Sequence, residues 1–570
     1  MSTFDILVLG STLCAIVFFG VWKTRNDHNL SDFLKGSSNH WGTIGLSVMA
    51  TQASAITFLS TPGLAYDSGM AFVQNYFGMP LALILIAVVF VPMYYKLELC
   101  SVYEFLEHRF DSKTRTLGSI IFLIQRGFSA GITIYAPSII LTSVLGWDMN
   151  TTVIGVGLAV IIYTVTGGSH AVSLTHKYQM TVILSGMAVA FGIVVYKISG
   201  HASFTENLSI AGALGHLNVV DLSFDLDKRY TLWSGLLGGF FLSLAYFGTD
   251  QSQAQRYMSG NSTRDSRLGL MFNALLKVPM QFMILLLGVL VFVFYQWEKP
   301  PATFLPDATV EKIADLEADA YKELEEAFMV TFETQQVALA GYVDAMRTGD
   351  KVQEEISKVA VQEAGQSIRD ARSNLKDHIA DVSGEVSMKE TDYVFIHFVL
   401  NELPVGLIGL LVAVILSAAM SSTASELSAL ATISTVDFYQ RFIQKERGEK
   451  HYVLASRIFT AIWGGLAILF ALFASMVESL IEAVNIVGSL FYGTVLGLFL
   501  AAFFIKRIGG HAAFFAGLVV QVSVVGLYLS NLVQIGYLWY NLIACVSVIL
   551  LSLILQLFLG KNAALNNSES

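Results

Sequence analysis

The sequence predicts an all-α polytopic membrane protein with about 13 transmembrane helices, and three observations carry that expectation. Hydrophobic residues make up 54% of the 570 and charged residues 14%, with a mean hydropathy of +0.61, a balance no ordinary soluble domain has. Apolar runs long enough to cross ~30 Å of hydrocarbon recur along most of the chain. Two of these runs carry glycines, hydroxyls and amides at mid-length, and each opens a group of five spans. An odd number of spans per group inverts one group relative to the other, so the pattern reads as a five-plus-five inverted repeat with discontinuous helices at its centre. Close packing through small residues is the plainer alternative.

The apolar runs lie near 4–22, 42–60, 70–95, 116–145, 151–167, 178–198, 232–250, 268–297, 404–430, 453–476, 479–504, 511–529 and 535–559. The first reads as a retained helix rather than a signal peptide, because MSTFD has no basic n-region and Lys23 and Arg25 follow the apolar run. Lysine and arginine concentrate in loops 23–41, 96–115, 252–267, 440–457 and 505–510, as in QRFIQKERGEK. The positive-inside rule then puts the N-terminus outside and the C-terminus in the cytoplasm of a cell (inner or plasma) membrane.

One segment departs from this pattern. Residues 298–394 are polar and acidic, with helix formers at helical spacing and a break at RTGDK around Gly349. They predict an extracytoplasmic acidic helical hairpin inserted between membrane domains 1–297 and 395–570. The hairpin is a solvated spacer, or an arm for a protein partner or self-association. Cys14, Cys100 and Cys545 lie in or beside spans and imply no disulfide framework. No metal-ligand cluster or nucleophile and base pair has recognisable spacing, so the chain does not read as an enzyme. The net charge of −10 gives no footing for a nucleic-acid partner, much of the acidity lying in the insert.

The polar residues inside spans carry the chemistry. The second span reads SVMATQASAITFLSTPG and the seventh GGFFLSLAYFGTDQ, both suited to unwinding where backbone groups face a cavity. In the ninth, Ser421, Ser422, Ser425 and Ser428 cluster with Ala418 one turn before. Their hydroxyl and carbonyl oxygens suit a small hard cation, although membrane serines also bond back to their own helix. Lys277, in NALLKVPMQF, sits roughly 13 Å into the eighth span at 1.5 Å per residue. Snorkelling is stretched at that depth, and an interior-facing functional site is the default reading. Arg126, beside Gln125 in the fourth span, orients an anionic substrate or ties helices through backbone carbonyls.

With these motifs the sequence resembles the sodium/solute symporter family, which includes the galactose, sialic acid, iodide, monocarboxylate and multivitamin symporters. The resemblance rests on SVMATQASAITFLSTPG at 47–63, IYAPSIIL at 134–141, YTVTGGSHAVSLTHKYQ at 163–179, YFGTDQSQAQRYMS at 246–259 and SAAMSSTASELSALATISTVDFY at 417–439. IYAPSIIL and DQSQAQRY look more like the iodide and monocarboxylate branch. The resemblance implies a LeuT-like core working by alternating access, with Na+ as the coupling ion. It further implies a sodium site of the Ala50, Ala53 and Ala418 carbonyls with the Ser421 and Ser422 hydroxyls. Thr57, Asn75, Tyr76, Ser243, Tyr246, Lys277 and Asn485 would then face the substrate, Lys277 matching the galactose symporter's sugar-binding lysine.

Where the galactose branch surrounds its sugar with Gln, Glu, Asn and Gln, this chain has Thr57, Tyr76, Ser243 and Asn485. The implied solute is small and polar, either a sugar or polyol other than galactose or a small organic anion. His176 replaces a family aspartate below the sodium site, which favours one sodium per cycle; it takes part in ion release or simply ends a helix. The resulting expectation is sodium-coupled, electrogenic uptake across the lipid bilayer, with a solute sensor retaining the transporter fold as the alternative.

Overall fold

The computed structural model describes residues 2–24, 40–97, 99–301, 303–305, 318–383, 390–443, 447–473, 479–530 and 532–559. Ten described helices are long and apolar enough to cross a membrane, with Ala55–Lys96 counted as one run although it turns at Gly69. Helix α1 (Thr3–Thr24) packs on the ninth span, and the link is specific. The Asp5 carboxylate accepts from the amides of Gly406, at 2.6 Å, and Gly409, at 3.1 Å. It thereby satisfies two of the unpaired N–H groups that begin α16 (Leu407–Ile433).

The second span is broken as its composition predicts. Helix α2 (Trp41–Gln52) stops at Ala53, where φ is −88° and ψ 70°; Ser54 is extended and α3 (Ala55–Ser68) then resumes. The third span starts with a 3-10 turn, Gly69–Tyr76, and continues through α4 (Met79–Leu85) and α5 (Val91–Lys96). A short helix, α6 (Glu104–Arg109), leads to the long α7 (Ser112–Leu145), capped by Asp111.

Helix α8 is continuous in hydrogen bonding over Met149–Ile198, 50 residues. A straight helix of that length would reach about 75 Å. Its contacts instead show a reversal. Ile161 meets Gly464 and Gly157 meets Ile468 on the way in, whereas Gly186 meets Leu411 and Lys197 pairs with Glu402 on the way back. The direction therefore turns between Ile161 and Gln179, which on the returning half donates to the Ser417 carbonyl, and the two halves are the fifth and sixth spans.

The second group begins after α9 (Phe204–Ala213) with a π turn at Ser234–Gly238 and α10 (Gly239–Gly248). Thr249 and Asp250 interrupt it before α11 (Gln251–Met258), whose N-terminus Asp250 caps through the Ser252 amide at 2.8 Å. Helix α12 (Thr263–Trp297) follows. Beyond the hairpin come α15 (Thr391–Glu402), α16 with its π continuation Ser434–Ile443, α17 (Glu449–Leu472) and α18 (Leu480–Phe504). Helices α19 (Gly510–Ser530) and α20 (Tyr537–Leu559) close the bundle.

The inserted segment forms α13 (Ala318–Thr348) and α14 (Lys351–Ser383), which pair after a turn at Gly349, φ +73°. It lies against the bundle rather than standing free. Gln335 donates to Gln296 at the end of α12 at 2.6 Å, Gln362 to the Ala213 carbonyl at 3.0 Å, and Arg372 to the Tyr66 hydroxyl at 2.8 Å. Arg347 pairs with Glu206 of α9 at 2.9 Å, and those hydrogen bonds, with the Ser203 amide, hold the Glu206 carboxyl down at about 2. This end of the bundle is called the hairpin face below.

Candidate functional site

The two helix breaks meet around a cavity of about 90 Å³. Gln52, Ser54 and Thr57 flank the first break, and Asn75 and Tyr76 come from the 3-10 turn beside it. Ser243 and Tyr246 enter from α10, Asn485 and Tyr492 from α18, and Ser422 and Glu426 from α16. Six of the seven residues expected to face the substrate are therefore brought together: Thr57, Asn75, Tyr76, Ser243, Tyr246 and Asn485. Lys277 is not among them. It is fully buried on α12, with its amine nitrogen 5.6 Å from the centroid of the Tyr76 ring, and Tyr76 itself lines the cavity. No described group accepts a hydrogen bond from it.

Arg126 does line the cavity, but its partners are carboxylates rather than the carbonyls expected. One nitrogen donates to Glu426 at 2.9 Å and the other to Asp250 and to the Tyr492 hydroxyl, the latter at 2.7 Å. Tyr492 in turn donates to Asp250 at 3.0 Å, and Thr133 donates to the second Glu426 oxygen at 2.8 Å. Arg126 thus joins the break in the seventh span to the ninth and eleventh. Gln253 holds the Tyr246 hydroxyl at 2.6 Å, fixing that ring over the Arg126 guanidinium. Beyond Thr57 towards the hairpin face, Ser60 meets Ser479, hydroxyl to hydroxyl at 3.3 Å, and accepts from the Ile481 amide, with the buried Asp392 carboxylate accepting from the Leu480 amide at 3.4 Å.

Of the expected sodium ligands, Ala53 sits at the first break, where its backbone has left the helical region. Ser422 lines the cavity, and its hydroxyl proton is committed to the Ala419 carbonyl at 3.0 Å. The Ser421 proton goes to Gln179 at 2.8 Å, and Gln179 is anchored on the Ser417 carbonyl at 3.3 Å. Both hydroxyl oxygens keep lone pairs for a cation, as a cation-binding hydroxyl must. Ala50 and Ala418 are buried on α2 and α16. His176 falls within 167–178, whose side chains lie outside the described residues.

Glu426, Asp250, Tyr492, Thr133 and Gln179 did not emerge from the sequence as site residues. Two of them had a signal. Glu426 and Asp250 are carboxylates inside apolar spans, where an ionisable group is functional by default.

Discontinuous helices meeting around a polar cavity at mid-bundle are an arrangement of secondary transporters. The sodium:solute symporter family profile matches residues 33–332 and 376–520, and the chain belongs to that family. The gap between the two matches falls inside the hairpin. Over 252 residues the chain is 33% identical to the human sodium/iodide cotransporter, covering 44% of this chain and 39% of that protein. It is 32% identical over 261 residues to the human sodium-coupled monocarboxylate transporter 2, covering 45% and 41%. The rabbit sodium-dependent multivitamin transporter is 32% identical over 264 residues, covering 46% and 40%. The matched stretch is about two fifths of each relative's length. A solved Na+-coupled sialic acid symporter in a substrate-bound, outward-open state superposes with a TM-score of 0.74 at 21% identity, covering 98% of both chains, and shares the fold.

Proposed function

We propose that this chain imports a small organic anion together with sodium, binding the solute in the central cavity. The observation that carries this reading is the Arg126 guanidinium, which lines the cavity with a buried Nε that has no hydrogen-bond partner among the described residues. A planar carboxylate matches such a donor. In a low-dielectric interior an uncompensated ion costs several kcal/mol. Sodium held by Ser421, Ser422 and the carbonyls of Ala50, Ala53 and Ala418 adds one positive charge. A carboxylate in the cavity offsets it, so each ligand favours the other, which is the thermodynamic content of coupling. The cavity volume suits a small solute rather than a large one. The relatives named for iodide, monocarboxylates and vitamins support an anion over a sugar or polyol. Entry is from the hairpin face, taken as the outer side from the distribution of loop cations.

One sodium carried with one monoanion moves no net charge. The same cycle with a neutral sugar would move one, worth roughly 2.3 kcal/mol per 100 mV. Reconstitution in proteoliposomes separates the classes. Sodium-driven uptake of a monocarboxylate such as pyruvate, faster than that of iodide, galactose or sorbitol and insensitive to an imposed potential, is expected. Uptake of a sugar alone overturns the anion reading, and binding without uptake by any solute favours the sensor.

A further inference from the structure

The hairpin encloses a second cavity, of about 280 Å³, against the ends of α3, α12 and α15. One wall is cationic. Arg369, Arg372 and Lys376 follow one another at spacings of three and four residues, on one face of α14. Two carboxylates answer them, Asp67 and Glu390. Glu390 is saturated: it lies 2.8 Å from both Arg372 and Lys376, and its other oxygen accepts from the Thr303 hydroxyl and the Phe304 amide, each at 2.9 Å. Among the described residues Arg369 hydrogen-bonds only the neutral Gln366, and the buried Nε of Arg372 has no partner. The lining also includes the apolar side chains of Leu214, Phe292 and Val394, Phe292 having one face stacked on His216, 3.6 Å between ring centroids.

We infer that this cavity is a binding site for a small organic carboxylate, held by Arg369 and the Arg372 Nε, with its apolar body against Phe292. A planar carboxylate matches the guanidinium donors, and the apolar wall selects an organic anion over a fully hydrated inorganic one. The site lies in series with the central cavity. Tyr66 and Thr57 are nine residues apart on α3, about 13 Å at 1.5 Å per residue, with the Ser60–Ser479 contact between them. Arg369 and Arg372 fall in the stretch that the family profile passes over. The inference stands on the cavity itself and does not require the transport reading.

The test uses the full chain in nanodiscs in sodium-free choline buffer, with 4-fluorobenzoate as the probe and 19F line broadening as the readout. Saturable binding is expected without sodium. Arg369→Gln should weaken it about tenfold, the loss of one charge-assisted contact. Ile368→Trp, which fills the cavity from the same helix without removing charge, should abolish it. Ser422→Ala should leave it unchanged while altering any sodium-dependent uptake, so that failure of this site and failure of the transport reading are told apart. Absence of sodium-free binding, equal broadening by empty nanodiscs, or affinity unchanged in both α14 variants overturns the inference. Displacement by inorganic phosphate at concentrations where acetate has no effect would also overturn it, in favour of a phosphate site.

Discussion

Ser422 can offer an oxygen to the cavity because its proton is already spent on the Ala419 carbonyl. Ser421 reaches the same condition through Gln179. At the proposed sodium site, removing either hydroxyl would take one ligand from a monovalent cation held among buried side chains. Ser421→Ala and Ser422→Ala are therefore expected to move the sodium dependence of uptake about tenfold higher, with solute affinity falling at low sodium and recovering at high sodium. A Hill coefficient near one is expected with a single ion. Sodium curves identical to the parent in both variants would reject these ligands, and a coefficient near two would reject the single ion. Gln179→Leu frees the Ser421 proton without removing the oxygen, so a smaller shift is expected there. The serines were legible because hydroxyls in an apolar run are conspicuous. Gln179 was not, since its role depends on the reversal of α8 that carries it to α16. Lys277 was correctly read as buried, but its absence from the cavity lining depends on how α12 is rotated, which spacing alone does not fix. Arg126 was seen as a buried cation, whereas its anions Asp250 and Glu426 lie 124 and 300 residues away.

Helix α3 is clamped between two neighbours by glycines, at distances that leave no room for a methyl group. A Cβ on Gly288 of α12 would stand 2.2 Å from the Pro62 carbonyl oxygen, and one on Gly63 would stand 1.8 Å from that of Thr391. The atoms in the way are backbone, which cannot rotate aside. Gly288→Ala and Gly63→Ala are expected to cost about 1–3 kcal/mol, an overpacking penalty. Gly192→Ala, with nothing within 4 Å, should be neutral or slightly stabilising in the same thermal melt. Equal melting temperatures for all three would show that α3 is not tightly held. The hairpin is fastened differently, through charges at its tip. Arg347 lowers the Glu206 carboxyl to about 2 from an ordinary 4.5, so the contact stabilises fully above about pH 4.5 and is lost as pH falls towards 2. Amide exchange at 340–348, corrected for intrinsic rate, should accelerate across that window, and Glu206→Gln should flatten the dependence. Both breaks were legible as polar residues in apolar runs, and Gly349 announced the hairpin turn. The docking of α14 on Tyr66 and Glu390 was not, because it joins residues that only the folded bundle brings together.

Across the whole molecule, the two boundaries of the central cavity are built from unlike materials. On the hairpin face serine hydroxyls, the Ile481 amide and the Asp392 carboxylate on the Leu480 amide come together, whereas on the other face Arg126 joins three spans through Asp250, Glu426 and Tyr492. Hydrogen bonds to neutral and charged groups are worth about 0.5–3 kcal/mol each, and breaking a buried ion pair costs about 3–5 kcal/mol. In the proposed cycle, opening towards the hairpin face is accordingly the easier motion before ligands bind. Sodium at the proposed site would change this balance by adding charge, and the proposed coupling follows from the sum of charges around the cavity rather than from any one contact. That sum makes a prediction of opposite signs. If Lys277 carries its proton, Lys277→Met removes a positive charge that no described carboxylate offsets directly, so sodium alone should bind about tenfold more tightly and the anion more weakly; a neutral Lys277 leaves that midpoint unchanged. Glu426→Gln removes a negative charge, so sodium alone should bind more weakly. The double variant restores the parent's charge sum, and its sodium midpoint should return towards the parent value even if both single variants are less stable. Thermal stabilisation by sodium, with choline as the control, reads all three midpoints without requiring transport. Single variants that shift the sodium midpoint in the same direction, or a double variant no nearer the parent than either single one, would show that local ligation governs sodium binding and would remove the electrostatic basis of the coupling.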